Sequence, residues 1–187
     1  MPCFDTMSLL KLLPTELEGV SILQPRIFED QRGSFVKTYH AGLFRELGLD
    51  FAPKEEFFSV SRKDVVRGMH FQVPPMAQAK VVYCIVGRIL DVVVDLRRSS
   101  PTFGRWFERE LNETNREMVF MAAGFAHGFL ALTENAVTVY QAGEVHFPKH
   151  DLGVLWNSFG FDWPVKNPII SERDREFPAL RDFESPF

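Results

Sequence analysis

The chain holds only two cysteines, Cys3 near its start and Cys84 inside an apolar run. So few exclude a disulfide framework, and a reducing, cytoplasmic setting is expected. Long apolar runs are missing too. Val81-Val82-Tyr83-Cys84-Ile85-Val86 falls far short of the roughly 20 residues that cross a bilayer as a helix. No N-terminal stretch joins a basic start to a long apolar core, so no secretory signal is expected. An excess of positive charge is absent: 21 Lys and Arg stand against 25 Asp and Glu, a net charge of −4. The chain as a whole therefore has no attraction for nucleic acid or for an anionic membrane. There is no Gly-x-Ser-x-Gly elbow, no Gly-x-x-x-x-Gly-Lys stretch and no Gly-x-Gly-x-x-Gly stretch. Elbow-type hydrolysis and a nicotinamide cofactor have no evident home.

What the chain does hold is apolar residues at 45% and charged residues at 25%, in a length of 187 residues. That suits one globular domain. Residues 1–15 read as a loose leader and 16–187 as the single domain. Nineteen phenylalanines fit β structure with a tightly filled interior. Val20 to Leu23 begins the β-like pattern, and Arg32-Gly33 reads as the turn of a hairpin. Ala41 to Leu49 is helical, with Leu43, Phe44 and Leu47 on its apolar face and Gly48 as its stop.

Strands are expected at 57–69, 79–86, 88–97, 105–111, 117–121, 128–132 and 137–145. Gly, Pro, Asn or Ser turns separate them at roughly 8–12-residue intervals, as in a sandwich or barrel. In 89–97, Leu90, Val92, Val94 and Leu96 share one face, and Asp91, Val93, Asp95 and Arg97 the other. One face should meet a core and the other a partly polar lining. Short helices are expected near Asp174 and Pro178. The residues alone therefore give an all-β jelly roll or barrel.

Three stretches place ionisable groups in apolar β sequence: Arg67-Gly68-Met69-His70-Phe71-Gln72, with Lys80 shortly after; Gly124-Phe125-Ala126-His127-Gly128-Phe129; and Val137-Thr138-Val139-Tyr140. Strand alternation sends Arg67, Met69 and Phe71 one way, and Gly68, His70 and Gln72 the other. A lone histidine is commonly structural, a lone tyrosine core packing and a lone aspartate a helix cap. Cations within apolar strands need a ligand or a partner charge, however, because their unpaired burial is costly. A metal centre of the cupin type would use a His-x-His pair. Gln72 follows His70 and Phe129 follows His127 at that spacing, so no metal is expected.

Taken in order, several stretches resemble one family: Phe28-Glu29-Asp30-Gln31-Arg32-Gly33-Ser34-Phe35, Val66 to Gln72, Asp91 to Arg97, Ser100-Pro101-Thr102-Phe103-Gly104, Gly124 to Phe129, and Trp163-Pro164 followed by Ser171-Glu172-Arg173-Asp174. The chain resembles, from about Leu17 to Asp174, the dTDP-4-dehydrorhamnose 3,5-epimerases. The resemblance implies a cupin-like jelly-roll barrel with a few short helices, a homodimer, and no metal or organic cofactor. It implies a nucleoside-diphosphate 4-keto-6-deoxy sugar as substrate, inverted at C3, C5 or both, in deoxysugar biosynthesis.

By match of motifs, His70 takes the place of the general base and Asp174 of its carboxylate. Tyr140 takes that of the acid on the opposite face. Lys80 and Arg67 match residues near the keto oxygen and the diphosphate, and His127 a further histidine of the site. Gln72 joins the substrate-binding set. Arg32 and Phe35 match a segment that contacts the nucleotide, often from the neighbouring subunit.

The chemistry agrees with these roles. A ketone at C4 acidifies the protons at C3 and C5, and removal of either gives an enolate. An imidazole, with an unperturbed pKa near ~6.5, suits the base. A carboxylate on its second nitrogen fixes the tautomer. A phenol can reprotonate from the far side, and a fixed ammonium can stabilise the enolate oxygen. Three positions depart from the family pattern around the nucleobase: Lys37, Glu55 and Phe57, where Glu, Gln and Asn are usual. GDP and CDP therefore stand beside dTDP as candidate nucleotides. Two other classes compete, a metal-dependent cupin enzyme and a non-catalytic sugar-binding jelly roll. The latter requires that His70, Tyr140 and Asp174 do not converge.

Overall fold

The computed structural model describes residues 9–187; Cys3 and the first half of the expected leader lie outside them. Thirteen strands follow in chain order: β1 (Leu10–Pro14), β2 (Val20–Pro25), β3 (Ile27–Asp30), β4 (Gly33–Val36), β5 (Glu55–Ser61), β6 (Val66–Gln72), β7 (Lys80–Val86), β8 (Arg88–Asp95), β9 (Trp106–Asn112), β10 (Met118–Met121), β11 (Phe125–Ala131), β12 (Ala136–Ala142) and β13 (Asp151–Gly153). Helices α1 (Ala41–Glu46) and α2 (Glu172–Arg175) and a 3₁₀ turn (Leu180–Asp182) complete it.

The strands form a six-stranded sheet ordered β1-β2-β10-β7-β12-β5, a five-stranded sheet ordered β13-β6-β11-β8-β9, and the separate hairpin β3-β4. All pairings between these strands are antiparallel. The two large sheets face each other across an apolar core. Val82 and Cys84 of β7, Val119 and Met121 of β10 and Tyr140 of β12 meet Ile89 and Val93 of β8, Leu111 of β9 and Phe129 of β11. Each large apolar side chain buried there is worth about 1.5–3 kcal/mol.

Both outer faces are covered in part. Phe159, Phe161, Trp163 and Leu180 pack on Val92, Val94, Ala126 and Leu130 behind the five-stranded sheet. Leu43, Phe44 and Phe51 pack on Val81, Tyr83, Met118 and Phe120 behind the other. The two faces expected of 89–97 thus both reach apolar cores. Ile89 and Val93 point inward, and Asp91 lies between them as the polar lining.

Several local expectations hold, and for the stated reasons. Gly33 closes the β3-β4 hairpin at φ 113°, a conformation that only glycine adopts readily. Helix α1 is capped by His40, whose Nδ1 accepts the Leu43 N–H at 3.2 Å, and it stops before Gly48 at φ 74°. Short helical turns do occur at Asp174 and after Pro178.

Two expectations are corrected. The leader of 1–15 contains β1, whose residues pair with β2 from Leu10↔Pro25 to Pro14↔Ser21, so the six-stranded sheet begins within it. The single strand at 57–69 is two. Asp64, at φ 64°, takes the left-handed conformation that Asp tolerates, and the chain turns there from one sheet into the other. That turn sets β5 and β6 on opposite walls of the barrel.

Candidate active site

A cavity of about 210 Å³ opens between the two sheets. It is lined by Phe57 and Ser59 of β5, Arg67 and His70 of β6, Lys80 of β7, His127 and Phe129 of β11, and Tyr140 of β12. His70 is register partner to His127, and Tyr140 is partner to Phe57. Antiparallel pairing therefore brings together residues that are far apart in sequence.

Arg67 and His70 should point to opposite faces of a regular strand. Both line the cavity because the β6–β11 register shifts between them, as a bulged strand permits. Gly68 and Gly128 make the shift possible. A Cβ on Gly68 would stand 2.5 Å from the Gly128 Cα and 2.8 Å from the His127 carbonyl oxygen, which no side chain tolerates.

The His70 ring bonds through Nε2 to Asp174 Oδ1 at 2.8 Å. Asp174 Oδ2 accepts the Gly68 N–H at 3.1 Å, and the Asp174 N–H donates to the Ser171 hydroxyl that caps α2. Burial would raise the Asp174 carboxyl, but hydrogen bonds from His70 and Gly68 outweigh it and hold it below the usual carboxylate range. A carboxylate can only accept. The neutral imidazole therefore carries its proton on Nε2, and Nδ1 keeps a lone pair. Phe177 stands edge-on to the ring at 5.7 Å.

Across the cavity, the Tyr140 hydroxyl shares a hydrogen bond of 3.2 Å with Ser59. Its ring stacks on Phe57, with centroids 4.8 Å apart and planes at 15°. Burial raises the phenol well above its ordinary value, against the opposing effects of the Ser59 bond and the Arg67 charge. It remains a proton donor. Burial likewise pushes Lys80 down to about 8, with the charge of Asp151 partly offsetting it. The Lys80 ammonium has no hydrogen-bond or ion-pair partner among the described residues. His127 is tied through Nε2 to Asp91 Oδ1 at 2.6 Å, and Arg67 donates through Nε to the Ser61 hydroxyl at 3.0 Å.

The cavity thus assembles His70, Tyr140, Lys80, Arg67, His127 and Phe57, with Asp174 behind His70. The remaining sequence candidates lie elsewhere. Gln72 does not face the cavity: its amide nitrogen donates to the Met76 and Val145 carbonyls, and its oxygen accepts the Phe147 N–H at 2.6 Å. With both ends bonded to backbone, it anchors the loops beside β7 and β12 instead. Arg32 is paired with Asp30 on the exposed hairpin, where Phe35 lies against Phe28. Lys37 borders a separate shallow cleft with Leu9, Phe28 and Phe35. Glu55 accepts the His146 N–H.

Two contributors escaped sequence reasoning. Strand alternation in 89–97 marks Asp91 only as an acid on one face, and no local signal singles out Ser59.

The arrangement defines a class: a jelly-roll enzyme with a carboxylate-bound imidazole on one wall of its cavity, a buried phenol on the other and an ammonium in the same lining, groups able to move protons beside a carbonyl. A family model described as dTDP-4-dehydrorhamnose 3,5-epimerase matches residues 14–182, and the chain belongs to that family. The enzyme so named from Methanothermobacter thermautotrophicus is 39% identical over 181 residues, 94% of this chain and 97% of its own.

Among solved structures, the dTDP-4-dehydrorhamnose 3,5-epimerase of Bacillus anthracis, with TDP and PPi bound, superposes with a TM-score of 0.88 at 37% identity, covering 91% of this chain and 99% of its own. A 3′-monoepimerase from Streptomyces bikiniensis in complex with dTDP-quinovose superposes with a TM-score of 0.85 at 34% identity, covering 90% and 87%. The family and these neighbours place the fold among the cupin-like jelly rolls, and the enzyme among epimerases of deoxysugar biosynthesis. No helix of the described residues is long and apolar enough to cross a membrane.

Proposed function

We propose that the protein inverts C3 and C5 of a dTDP-linked 4-keto-6-deoxy sugar. The observation that carries this reading is the cavity in which a carboxylate-bound imidazole and a buried phenol stand on opposite walls beside an ammonium that has no hydrogen-bond or ion-pair partner among the described residues. At about 210 Å³, the cavity is smaller than the ~300–1,000 Å³ of sites that enclose a drug-sized ligand. It takes the sugar ring and leaves the nucleotide outside.

His70 removes the proton next to the C4 ketone, and the C–H electrons pass into the enolate oxygen. Lys80 holds that oxygen, in a dry site where a fixed charge is most effective. Tyr140 delivers a proton to the opposite face, the electrons return to carbon, and the ketone is restored. His70 and Tyr140 then re-equilibrate their protons with water. The same ketone serves C3 and C5 in turn. The step is redox-neutral and uses side-chain protons alone, so the chemistry requires no cofactor. Arg67 and His127 contact the sugar and the first phosphate.

The test is solvent exchange followed by NMR in D2O, with the 4-keto-6-deoxy sugar offered as its dTDP, GDP and CDP forms in turn. Deuterium at both C3 and C5 with the dTDP form is expected. Label at one centre only would make the enzyme a monoepimerase. Preference for GDP or CDP would assign the Lys37 and Glu55 departures to base choice. No exchange with any form would reject the reading.

The working unit in this proposal is a cytoplasmic homodimer, the compartment in which Cys84 stays a thiol. Phe58, Val60, Ile85 and Val86 are exposed on β5 and β7, with Phe58 reaching 68%. Val60 and Val86 flank Val137 in one cross-strand row. β5 is an edge strand of its sheet, and edges with apolar faces invite cover. A second copy seated there brings its own Arg32 and Phe35 hairpin to the nucleotide. Val60→Asp should convert a dimer into monomers in sedimentation and raise KM about 10-fold or more, as an unpaired charge at an apolar contact does. A fully active wild-type monomer would count against the dimer.

A further inference from the structure

We propose that Phe57 is the positioning residue that holds the Tyr140 phenol opposite His70, and so decides how often proton removal ends in inversion. The inference rests on the acid–base reading above. Phe57 is the direct cross-strand partner of Tyr140, and the two rings overlap in near-parallel planes 4.8 Å apart. Phe57 and Ser59 share one face of β5 by strand alternation. One strand therefore supplies both restraints on the phenol, a ring against its face and a hydroxyl 3.2 Å from its oxygen.

Neither restraint is sufficient alone. The Ser59 bond leaves the ring free to swing about its oxygen, and the stack leaves it free to slide within its plane. His127, edge-on at 6.1 Å, and Phe129 at 6.4 Å bound the ring on other sides. Phe57 is itself 45% exposed. The ring is thus not enclosed by a core, and its close aromatic neighbour is the acid.

The consequence concerns partition. After His70 takes the proton, the enolate carbon can regain one from either side. Return from His70 restores the starting configuration. Delivery from Tyr140 breaks the phenol O–H bond, forms the new C–H bond with the enolate electrons, and inverts the centre. Water then reprotonates the phenolate. Only the second branch depends on where the phenol sits, and a displacement of 1 Å can cost ~10²-fold in such a step. Loosening the stack should lower inversion while leaving proton removal in place.

The experiment compares Phe57→Ala, Phe57→Leu and Phe57→Tyr with wild type in D2O, using the dTDP-4-keto-6-deoxy sugar. Deuterium in recovered, uninverted substrate is counted beside inverted product in the same sample. The exchange-to-inversion ratio should rise about 10-fold or more in Phe57→Ala, with KM changed less than about threefold. Phe57→Leu keeps much of the apolar bulk, guards against a folding defect, and should show a raised ratio. Phe57→Tyr keeps the stack and should return the ratio to that of wild type. Exchange and inversion falling together, or neither changing, would overturn the proposal. A wild-type protein that neither exchanges nor inverts overturns the underlying acid–base reading, and this inference with it.

Discussion

His70→Gln should lose about 10³–10⁴-fold in both solvent exchange and turnover while melting close to wild type. General acid–base catalysis commonly contributes ~10²–10⁴-fold, and in the proposed reaction the base begins every turnover. Glutamine carries its amide nitrogen about as far from the backbone as histidine carries Nε2. Its amide N–H can still donate to Asp174, which otherwise accepts from His70 at 2.8 Å and from the Gly68 N–H at 3.1 Å. The buried carboxylate thus keeps its partners, and the fold has no reason to fail. What glutamine lacks is a lone-pair nitrogen that can take a proton. The check is deuterium exchange by NMR beside a thermal melt. Exchange within about tenfold of wild type would place the base elsewhere.

Lys80→Met carries the second large effect, in two opposite directions. Its ammonium sits in the cavity with no partner among the described residues and is held at about 8 by burial. Below that pH it is charged and can hold the enolate oxygen; above it, the charge is gone. The wild-type rate should fall as pH rises through about 8. Loss of the charge by substitution should cost about 10²–10³-fold, the scale for removing one oxyanion donor.

Stability runs the other way. The folded value lies below the ordinary lysine value of 10.5, so between about 8 and 10.5 the unfolded chain binds more protons. Folded stability therefore rises with pH over that window. Methionine removes the desolvation cost altogether, so Lys80→Met should be more stable at pH 7, by an amount on the order of 1 kcal/mol. A rate profile flat through pH 8, or a destabilised variant, would argue against a functional ammonium here.

Much of this was legible in the chain. The β pattern, the Arg32-Gly33 turn, the α1 boundaries and the positions of His70, His127, Tyr140, Lys80 and Asp174 are local signals. Strand alternation, glycine conformation and short motifs act over a few residues, and sequence displays them directly. The misreadings share a cause. The strand at 57–69 looked continuous because its apolar pattern does not break at Asp64; only the left-handed turn there shows that β5 and β6 enter different sheets. Strand alternation puts Gln72 on the same face as His70. Its amide is satisfied by carbonyls of Met76 and Val145 and by the N–H of Phe147, the last 75 residues away.

By itself, then, the sequence determined the class of fold and the family, because residue type and short spacing carry that information. Tertiary structure alone decided the relations between the side chains of the site. His70 meets Asp174 across 104 residues, and Tyr140 meets Ser59 across 81. The bulge that turns Arg67 inward arises between two strands rather than within one. The stack of Phe57 on Tyr140 exists because β12 pairs with β5 in one register. Register is a property of the whole folded barrel, fixed by long-range pairing and burial, and no local pattern contains it.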